Sequence, residues 1–423
     1  MQHDRIVAEP NCDDDYDANS LTCDEALVRI LDAVRPVSGI EALAIRTSLG
    51  RVIAVPVVSA INVPSHVNSA MDGFAVRAQD LPPSGQKKLQ VIGTAFAGQP
   101  YREQVGENQA IRIMTGAVVP SETNVVIMQE HAQTTDDGFV IIDDRHKAGQ
   151  NVRAVGEDIT AGTEILHRGH LIGPADLGLI ASLGIAEVEV YRKARVAFFS
   201  TGDELRGIGE TLELGQIYDS NRYTLHGMLA RLGVEIIDLG VVRDERDAVR
   251  NALIEAAAGA DMVITSGGVS VGEADYIKGV LKEIGEVRFW KVAMKPGRPL
   301  SYGAIDKAAF FGLPGNPVSV MVTFYQFVQP CLMKIMGAKP RPQILLKAKA
   351  ANTLKKRPGR VEYQRGILTR GDSGEFVVQT EADQGSGILS SMSNANCFVV
   401  LSMDSGQIEP GALVDVQPFF GIM

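Results

Sequence analysis

The order of apolar and polar positions along the chain predicts several kinds of structure in succession. Near the N-terminus, Thr22-Cys23-Asp24-Glu25 has the pattern of a capping box, in which a Thr and a Glu three residues later satisfy each other's backbone N–H groups. The apolar positions that follow it repeat at helical spacing, which predicts a helix over about residues 23–35. Val52–Val58 has the composition of a strand.

Residues 59–158 are rich in Gly, Pro, Val and Ile and alternate over short stretches, such as Gln109–Met114 and Asn124–Gln129. This pattern is typical of a small β domain. Mixed strand and helix patterns flank it on both sides. We therefore expect residues 20–58 and 159–191 to form one discontinuous linker domain, into which the β domain 59–158 is inserted.

From residue 192 to 339, strand-like runs alternate with helical patterns, which predicts βαβ units and a mainly parallel sheet. The predicted strands are Arg195–Ser200, Glu235–Gly240, Asp261–Thr265, Phe289–Ala293 and Ala308–Gly312. The predicted helices are Asn221–Leu232, Arg246–Ala257, Ala274–Ile284 and Pro317–Met336.

After a Gly- and Pro-containing linker, Gly337–Pro342, residues 340–423 show strand patterns without a long helix. The chain is thus predicted to be a multidomain α/β plus β protein. A central α/β domain with a mainly parallel sheet is joined by an inserted small β domain and a C-terminal small β domain. Residues 1–19 are strongly acidic and are expected to be a solvated, disordered arm.

Composition excludes several classes of function. The net charge is −10, from 41 Lys plus Arg and 51 Asp plus Glu, which disfavours nucleic acid and anionic membranes as partners. No apolar run approaches the ~18–20 residues of a membrane span, and the polar N-terminus does not resemble a secretory signal. The 4 cysteines form no C-x-x-C pair, which fits a cytoplasmic protein without a disulfide scaffold.

Candidate chemistry lies in four polar loops, each placed after a predicted strand of the α/β domain. Ligands bind outside the carboxyl ends of strands in such sheets, and glycines let the backbone approach a phosphate closely. Carboxylates from three of these loops, Glu204, Asp244 and Asp275, are expected to converge there and to suit Mg²⁺. Each loop taken alone is also explained as a turn with helix-capping residues.

The segment Trp290–Pro299 supplies positive charge that the acidic chain otherwise lacks, through Lys291, Lys295 and Arg298. A second basic cluster in the last domain, Lys355 to Arg365, fits either a solvated face or an anion site. Gly268–Gly272 matches a G-x-S-x-G nucleophile elbow, but none of the 7 histidines follows Ser270. A hydrolase triad in the usual chain order is therefore excluded.

Several segments in the same order resemble the MoeA family of molybdopterin molybdenumtransferases, which is related to the gephyrin E domain. The resemblance covers about residues 20–420, and Arg298 stands where many relatives have Lys. The matching segments are S-A-M-D-G-F-A-V (69–76), R-I-M-T-G-A (112–117), G-Q-N-V-R-x-x-G-E-D-I (149–159), S-T-G-D-E-L (200–205), D-S-N (219–221), S-G-G-V-S-V-G-E-A-D-Y (266–276), K-P-G-R-P (295–299) and L-P-G-N-P-V-S (313–319).

This resemblance implies insertion of molybdate into adenylylated molybdopterin with release of AMP, in the presence of Mg²⁺. It also implies a homodimer in which the α/β domain faces the partner's inserted β domain, and other proteins of cofactor biosynthesis as further partners. The implied catalytic residues are Asp72, Thr115, Asp158, Glu204, Asp244, Asp275, Lys291 and Lys295, of which Glu204, Asp244 and Asp275 serve the metal. The expected substrate-binding residues are Ser200, Gly202, Gly267, Gly268, Ser270, Gly272, Arg298, Pro314, Gly315, Asn316, Ser319, Arg365 and Ser386.

Two alternatives from other classes remain open at this point. An adenylyltransferase acting one step earlier on molybdopterin resembles residues 194–337 in fold, although the additional domains argue against it. A non-catalytic scaffold, like the receptor-binding role of gephyrin, is disfavoured by the presence of Asp72, Glu204 and Asp275.

Overall fold

A computed structural model describes residues 20–267, 276–340, 342–381 and 383–419. Within these ranges the strands form three six-stranded sheets and several two-stranded pairs. The acidic segment 1–19 lies outside the described residues, so its predicted disorder stays a prediction.

The first helix, Cys23–Ala33, begins where the capping box predicts. The Glu25 N–H donates to Thr22 Oγ1 at 3.2 Å, and the Thr22 N–H donates to the Glu25 carboxylate at 2.9 Å. Ala26 and Ile30 are fully buried on the face that packs against the α/β domain. The capping box and the helical spacing of the sequence are therefore confirmed in the structure.

The segments on either side of the inserted domain pair with each other. Strand Ile40–Ala44 is antiparallel to Glu187–Tyr191, and Val57–Val58 is antiparallel to Glu164–Leu166. Helix Pro174–Ser182 covers this region and buries Ile180. The chain therefore leaves this small region to form the insertion and returns to it afterwards.

The inserted segment forms a six-stranded sheet around its own apolar core. Strand Gly73–Val76 lies inside the sheet, antiparallel to both Gln109–Ile113 and Val125–Met128. In spatial order the strands are Val125–Met128, Gly73–Val76, Gln109–Ile113, Gln86–Ala95, Phe139–Asp143 and Gln133–Thr134. Two short strands, Asn68–Ser69 and Val152–Arg153, pair beside this sheet.

The α/β domain contains the second six-stranded sheet, and its order confirms the mainly parallel prediction. In spatial order the strands are Glu235–Val242, Arg195–Thr201, Met262–Ser266, Ala308–Leu313, Pro299–Ile305 and Glu286–Lys291. The first four are mutually parallel, and Pro299–Ile305 is antiparallel to both of its neighbours. Helices cover the two faces of this sheet. They are Ser220–Arg231, Arg246–Gly259, Tyr276–Ile284, Pro317–Thr323 and Gln329–Ile335, the last two joined by a π-helical turn at Phe324–Val328.

Strand Pro299–Ile305 was not predicted from the sequence. It forms a hairpin with Ala308–Leu313, in which Ile305 pairs with Ala308 across the two residues Asp306 and Lys307. Asp306 adopts a positive φ of 51°, a conformation that Asp tolerates better than most residues. The sequence prediction therefore includes only the second strand of this hairpin, as Ala308–Gly312.

The C-terminal sheet closes on itself into a barrel-like domain. Strand Val361–Arg370 pairs with both Phe376–Thr380 and Cys397–Leu401, which joins the two ends of the strand order. The remaining strands are Leu346–Ala350 and Leu413–Pro418, and a short helix spans Leu389–Asn394. Strand Met294–Lys295 of the α/β domain adds to this sheet, parallel to Val361–Glu362.

The apolar helix Pro317–Ile335 has the length and hydropathy of a membrane span, which the sequence analysis did not recognise. Of its most apolar window, 72% is buried inside the protein. Such burial is typical of a helix in the core of a globular domain.

Candidate functional site

A cleft of about 1110 Å³ lies between the carboxyl edge of the α/β sheet and the C-terminal barrel. Its position follows from the parallel strands, whose carboxyl ends open at one edge of the sheet. The cleft brings together many of the residues singled out in the sequence. These are Gly202, Glu204, Asp244, Gly267, Lys295, Arg298, Pro314, Gly315, Asn316, Ser319 and Ser386.

Gly267 sets how closely two loops of the cleft approach each other. Its φ is +90°, and a Cβ placed on it would lie 2.5 Å from the carbonyl oxygen of Thr201. Its N–H donates to the carbonyl of Leu313 at 3.2 Å, which links this loop to the next strand. Only glycine satisfies both the backbone conformation and the close contact at this position.

We expect Gly267→Ala to lower the free energy of unfolding by about 1–3 kcal/mol, because it adds backbone strain and a clash with a fixed carbonyl. Gly315→Ala is the matched control, since its added methyl meets no atom within 4 Å, and its effect should stay within about 0.5 kcal/mol. Thermal unfolding of both variants measures the difference. Equal stability of the two would show that the loops can separate without cost.

Asn221 fastens the loop Leu313–Ser319 to the sheet. Its side-chain amide donates to Ser266 Oγ at 2.9 Å and to the carbonyl of Gly315 at 2.7 Å. At the start of the following helix, the Val318 N–H donates to the carbonyl of Ser386 at 3.1 Å, so the barrel loop with Ser386 is held against the α/β domain. These bonds explain why residues from distant parts of the sequence share one cleft.

Two hydroxyls lie beneath the mouth of the cleft. Ser200 is 1% exposed and Thr201 is 4% exposed, and neither side-chain oxygen has a hydrogen-bond partner in the part of the chain that the structure describes. Thr201 also lines the cleft, whereas Ser200 does not. Thr201 was not selected from the sequence, although it lies inside the S-T-G-D-E-L segment.

The carboxylates at the sheet edge repel one another. Burial raises the pKa of Asp244, and the negative charges of Asp203 and Glu204 raise it further. Like charges held this close favour a cation between them. Asp203, which directly precedes the expected ligand Glu204, was not selected from the sequence and does not line the cleft.

The carboxylates fit a magnesium ion in part. Mg²⁺ is commonly held by one or two carboxylates together with phosphate oxygens. In this cleft Glu204 and Asp244 can supply the carboxylates. Among the described residues, no group of three Asp, Glu, His or Cys side chains is arranged for a metal. The third expected ligand, Asp275, lies outside the described residues, as do Gly268, Ser270 and Gly272.

The cationic side chains divide between the cleft and the surface. Lys295 Nζ lies 3.7 Å from Glu362 Oε1, and its side chain is 54% exposed. Arg298 lines the cleft and is largely buried. Lys291, at the end of the edge strand Glu286–Lys291, is exposed and does not line the cleft.

Asp72 and Thr115 form a separate arrangement on the inserted sheet. The Thr115 N–H and Oγ1 both donate to Asp72 Oδ1 at 2.7 Å, and these two bonds lower the pKa of Asp72. Both residues are exposed, as is Asp158, and none of the three lines the cleft of this chain. The structure therefore brings Asp72 and Thr115 together but leaves both outside the cleft.

Arg365 is fixed by hydrogen bonds within the barrel, and its expected contact with substrate stays a prediction. Its side chain is 1% exposed, and its guanidinium donates to Ser391 Oγ at 2.9 Å, the Gln384 carbonyl at 3.0 Å and the Gly385 carbonyl at 2.9 Å. It holds the loop that carries Ser386 and does not line the cleft, but it lines a smaller pocket of about 290 Å³ that shares Lys295 and Lys355 with the cleft. Buried Arg with carbonyl partners is a positioning arrangement, which the basic pattern of the sequence does not reveal.

The sequence matches known families over most of its length. Residues 21–184 match the family described as "MoeA N-terminal region (domain I and II)", and residues 347–419 match "MoeA C-terminal region (domain IV)". Residues 197–334 match a family described as "Probable molybdopterin binding domain".

Relatives and solved structures give the same result. A "Molybdopterin molybdenumtransferase" of Haemophilus influenzae is 45% identical over 400 residues, covering 94% of this chain and 98% of that protein. Gephyrin of Dictyostelium discoideum is 32% identical, covering 94% of this chain and 62% of that protein. A crystal structure titled as the molybdopterin biosynthesis moeA protein of Pyrococcus horikoshii superposes with a TM-score of 0.82 at 29% identity, covering 94% of this chain and 100% of that one. The resemblance stated from the motifs is confirmed, and the chain belongs to the MoeA family.

Proposed function

We propose that this protein inserts molybdate into adenylylated molybdopterin and releases AMP, with Mg²⁺ as its metal. The observation that carries the proposal is the cleft itself, which combines the carboxylates of Glu204 and Asp244 with the cations Lys295 and Arg298. Such a cleft suits a substrate that has both phosphate groups and a second anion. Membership of the MoeA family makes the protein a transferase of molybdenum cofactor biosynthesis.

The chain's own residues supply binding and orientation. The backbone of the loop at Pro314–Asn316 can be approached closely by a phosphate, since an added Cβ on Gly315 would meet no atom within 4 Å. Lys295 lines the same cleft as Ser386, and its half-exposed ammonium can meet anionic oxygens of molybdate or phosphate. The buried Thr201 hydroxyl can donate to a substrate oxygen from the floor of the cleft.

Glu204 and Asp244 would hold Mg²⁺ at the sheet edge, with Asp275 as the expected third ligand. When bound, a magnesium ion neutralises charge on a phosphate that is being cleaved. The mutual repulsion of the carboxylates around Asp244 supports this assignment, because a cation relieves it.

We further propose that the protein acts as a cytoplasmic homodimer whose sites are shared between subunits. Asp72 and Thr115 form an ordered, exposed pair that lies outside the cleft of their own chain. A twofold dimer would let each pair serve the cleft of the partner subunit. Molybdate, adenylylated molybdopterin and other proteins of cofactor biosynthesis are the proposed partners.

Product analysis tests the reaction directly. Purified protein incubated with adenylylated molybdopterin should release AMP and form molybdenum cofactor only when molybdate and Mg²⁺ are both present. Adenylylation of molybdopterin from ATP would instead identify an adenylyltransferase. Absence of either reaction, in protein that still binds molybdopterin, would favour a scaffold.

Mixing two inactive variants tests the shared site. Asp72→Ala and Asp244→Ala protomers, allowed to exchange subunits, should recover roughly a quarter of wild-type AMP release, because about half of the dimers are mixed and each has one intact site of two. Native mass spectrometry verifies that exchange has occurred. No recovery after verified exchange would mean that each site is built within one chain.

A further inference from the structure

A second groove, of about 1020 Å³, lies between the first helix and the edge strand Glu286–Lys291 of the α/β sheet, and is here called the edge groove. Arg29 lines it from the helix, and Trp290 lines it from the strand. Asp261 and Ala309, at the amino ends of two parallel strands, also line it, whereas the cleft opens at the carboxyl ends. The edge groove shares no lining residue with the cleft, so it is a separate surface of the domain.

The helical wall of the edge groove is fixed by side chains from other elements. Carbonyl groups in the last turn of a helix have no partner within the helix. In the first helix, three of them accept hydrogen bonds from side chains. These bonds run from Tyr302 Oη to Ile30 at 3.1 Å, from Lys334 Nζ to Leu31 at 2.6 Å and from Arg35 Nη1 to Asp32 at 3.0 Å. The rings of Tyr302 and Trp290 lie 5.4 Å apart, so one face of the groove is aromatic.

The chain reaches this region beside the end of the edge strand. Leu21 forms a parallel bridge with Val292. The Leu21 N–H donates to the Lys291 carbonyl at 2.9 Å, and the Ala293 N–H donates to the Leu21 carbonyl at 2.7 Å. The residues that precede Leu21 are therefore joined to the rim of the edge groove by main-chain bonds, and the bridge sets a direction and a register.

The edge strand can accept a further strand in that register. Among the described residues it pairs with one strand, Pro299–Ile305, so no strand covers its outer side. The outer side of an edge strand presents N–H and C=O groups that can pair with another segment. Continuing the parallel register of the bridge would place residues 15–20 alongside residues 286–291, at the rim of the edge groove.

Charge favours the acidic segment before Leu21 as the occupant. Residues 13–19 contain four Asp and no cation. The edge groove offers Arg29 and Lys307, neither of which has a hydrogen bond or an ion pair within the part of the chain that the structure describes. Arg29 acts electrostatically on Glu25, whose carboxylate accepts hydrogen bonds from Thr22. Both cations can therefore meet an incoming carboxylate.

The other charges that line the edge groove leave it positive. Asp261 holds the guanidinium of Arg192 through two bonds of 2.7 and 2.8 Å, so these two charges compensate each other. Three further cations then face two further carboxylates. The cations are Arg29, Arg35 and Lys307, and the carboxylates are Asp32 and Glu286. A net positive groove in a chain of net charge −10 favours an acidic occupant.

We propose that residues 13–19 dock along the edge groove, beside the edge strand and against Arg29 and Lys307. Main-chain pairing with an edge strand supplies affinity and direction, and the acidic side chains supply selectivity. The segment is joined directly to Leu21, so docking is intramolecular and benefits from a high effective concentration. The disordered arm predicted from the sequence is the opposite expectation, and the same experiment decides between the two.

Trp290 is the single tryptophan of the chain and lines the edge groove, so its fluorescence reports on the occupant. Deletion of residues 2–18 from the full-length protein should raise acrylamide quenching of Trp290. It should also speed amide hydrogen exchange in Glu286–Lys291 by about tenfold, because exchange then requires no undocking. Deletion of residues 2–9 is the matched control, since it keeps residues 13–19, and it should behave like wild type. A peptide of residues 2–20, added to the shorter protein, should reverse both changes.

Charge substitutions test the same contacts without removing any chain. The double variant Arg29→Gln and Lys307→Gln should show part of the increase in quenching and exchange, as should replacement of the four Asp of residues 13–19 by Asn. Lys282→Gln is the control, because Lys282 is exposed and does not line the edge groove. Added salt should weaken the protection in wild type and leave the 2–18 deletion unchanged.

Equal quenching and exchange in wild type and in the 2–18 deletion would overturn the proposal and support the disordered arm. Protection that survives the deletion but disappears on dilution would assign the edge groove to a second copy of the chain, and would also overturn it. Charge variants that match wild type would reject the contacts with Arg29 and Lys307. Neither measurement requires turnover, so the result is independent of the proposed reaction.

Discussion

Replacing Asp244 with Asn should lower AMP release at least about 10²-fold without lowering thermal stability. The large loss is expected because the carboxylate charge is removed from a site that is proposed to hold a metal beside a reacting phosphate. Stability should be unchanged or slightly higher. Burial and the charges of Asp203 and Glu204 raise the pKa of Asp244, so its ionised form is disfavoured in the folded protein. Asn removes that unfavourable charge while keeping nearly the same volume.

Steady-state AMP release and thermal unfolding, measured on the same preparation, distinguish the two effects. Asp247→Asn is the control, because Asp247 is an exposed acidic residue in the first turn of the next helix and does not line the cleft. The Mg²⁺ concentration needed for half-maximal wild-type activity should also rise as the pH falls, since protons compete with the metal for a carboxylate whose pKa is raised. Normal turnover in Asp244→Asn would reject its assignment to the metal.

Arg365→Ala should destabilise the C-terminal barrel by about 3–5 kcal/mol and lower activity as a consequence. The substitution removes a side chain that is 1% exposed and leaves the carbonyls of Gln384 and Gly385 without their donor. Those residues precede Ser386, which lines the cleft and accepts the N–H of Val318. Loss of the Arg365 hydrogen bonds should therefore displace the loop that carries Ser386 and lower activity in that way.

Amide hydrogen exchange in strand Cys397–Leu401, which pairs with the strand of Arg365, reports on the barrel separately from the other domains. Exchange there should accelerate in Arg365→Ala, and Arg365→Lys should recover only part of the protection, because one ammonium cannot reproduce the guanidinium's separate bonds. If Arg365→Ala is as stable as wild type but inactive, Arg365 contacts substrate directly and its positioning role is wrong.

Local signals account for the parts of the fold that the sequence predicts well. The capping box at Thr22 and Glu25 lies within one helical turn, and the strands of the parallel sheet alternate with helices that have their own apolar spacing. The closure of the C-terminal barrel depends on Val361–Arg370 pairing with two distant segments. No periodicity within that strand could identify both partners.

The residues of the candidate site also divide into those that local sequence patterns predict and those whose position depends on tertiary packing. Glu204, Asp244 and Gly267 could be placed together because the carboxyl ends of parallel strands share an edge. The basic segment at residues 355–360 could not be added, because its position depends on how the barrel packs against the sheet. Burial of Arg365 is likewise a tertiary property, and a basic residue in a basic cluster gives no sign of it.

The short strand Met294–Lys295 has a mechanical consequence. It continues from the edge of the α/β sheet and pairs with Val361–Glu362 of the barrel, and the Val361 N–H donates to the Ala293 carbonyl at 2.9 Å. A motion that separated the two domains at this point would have to break main-chain hydrogen bonds next to Lys295. The two walls of the cleft are therefore joined by main-chain bonds beside Lys295, and motion between these two domains is expected to pivot at this strand.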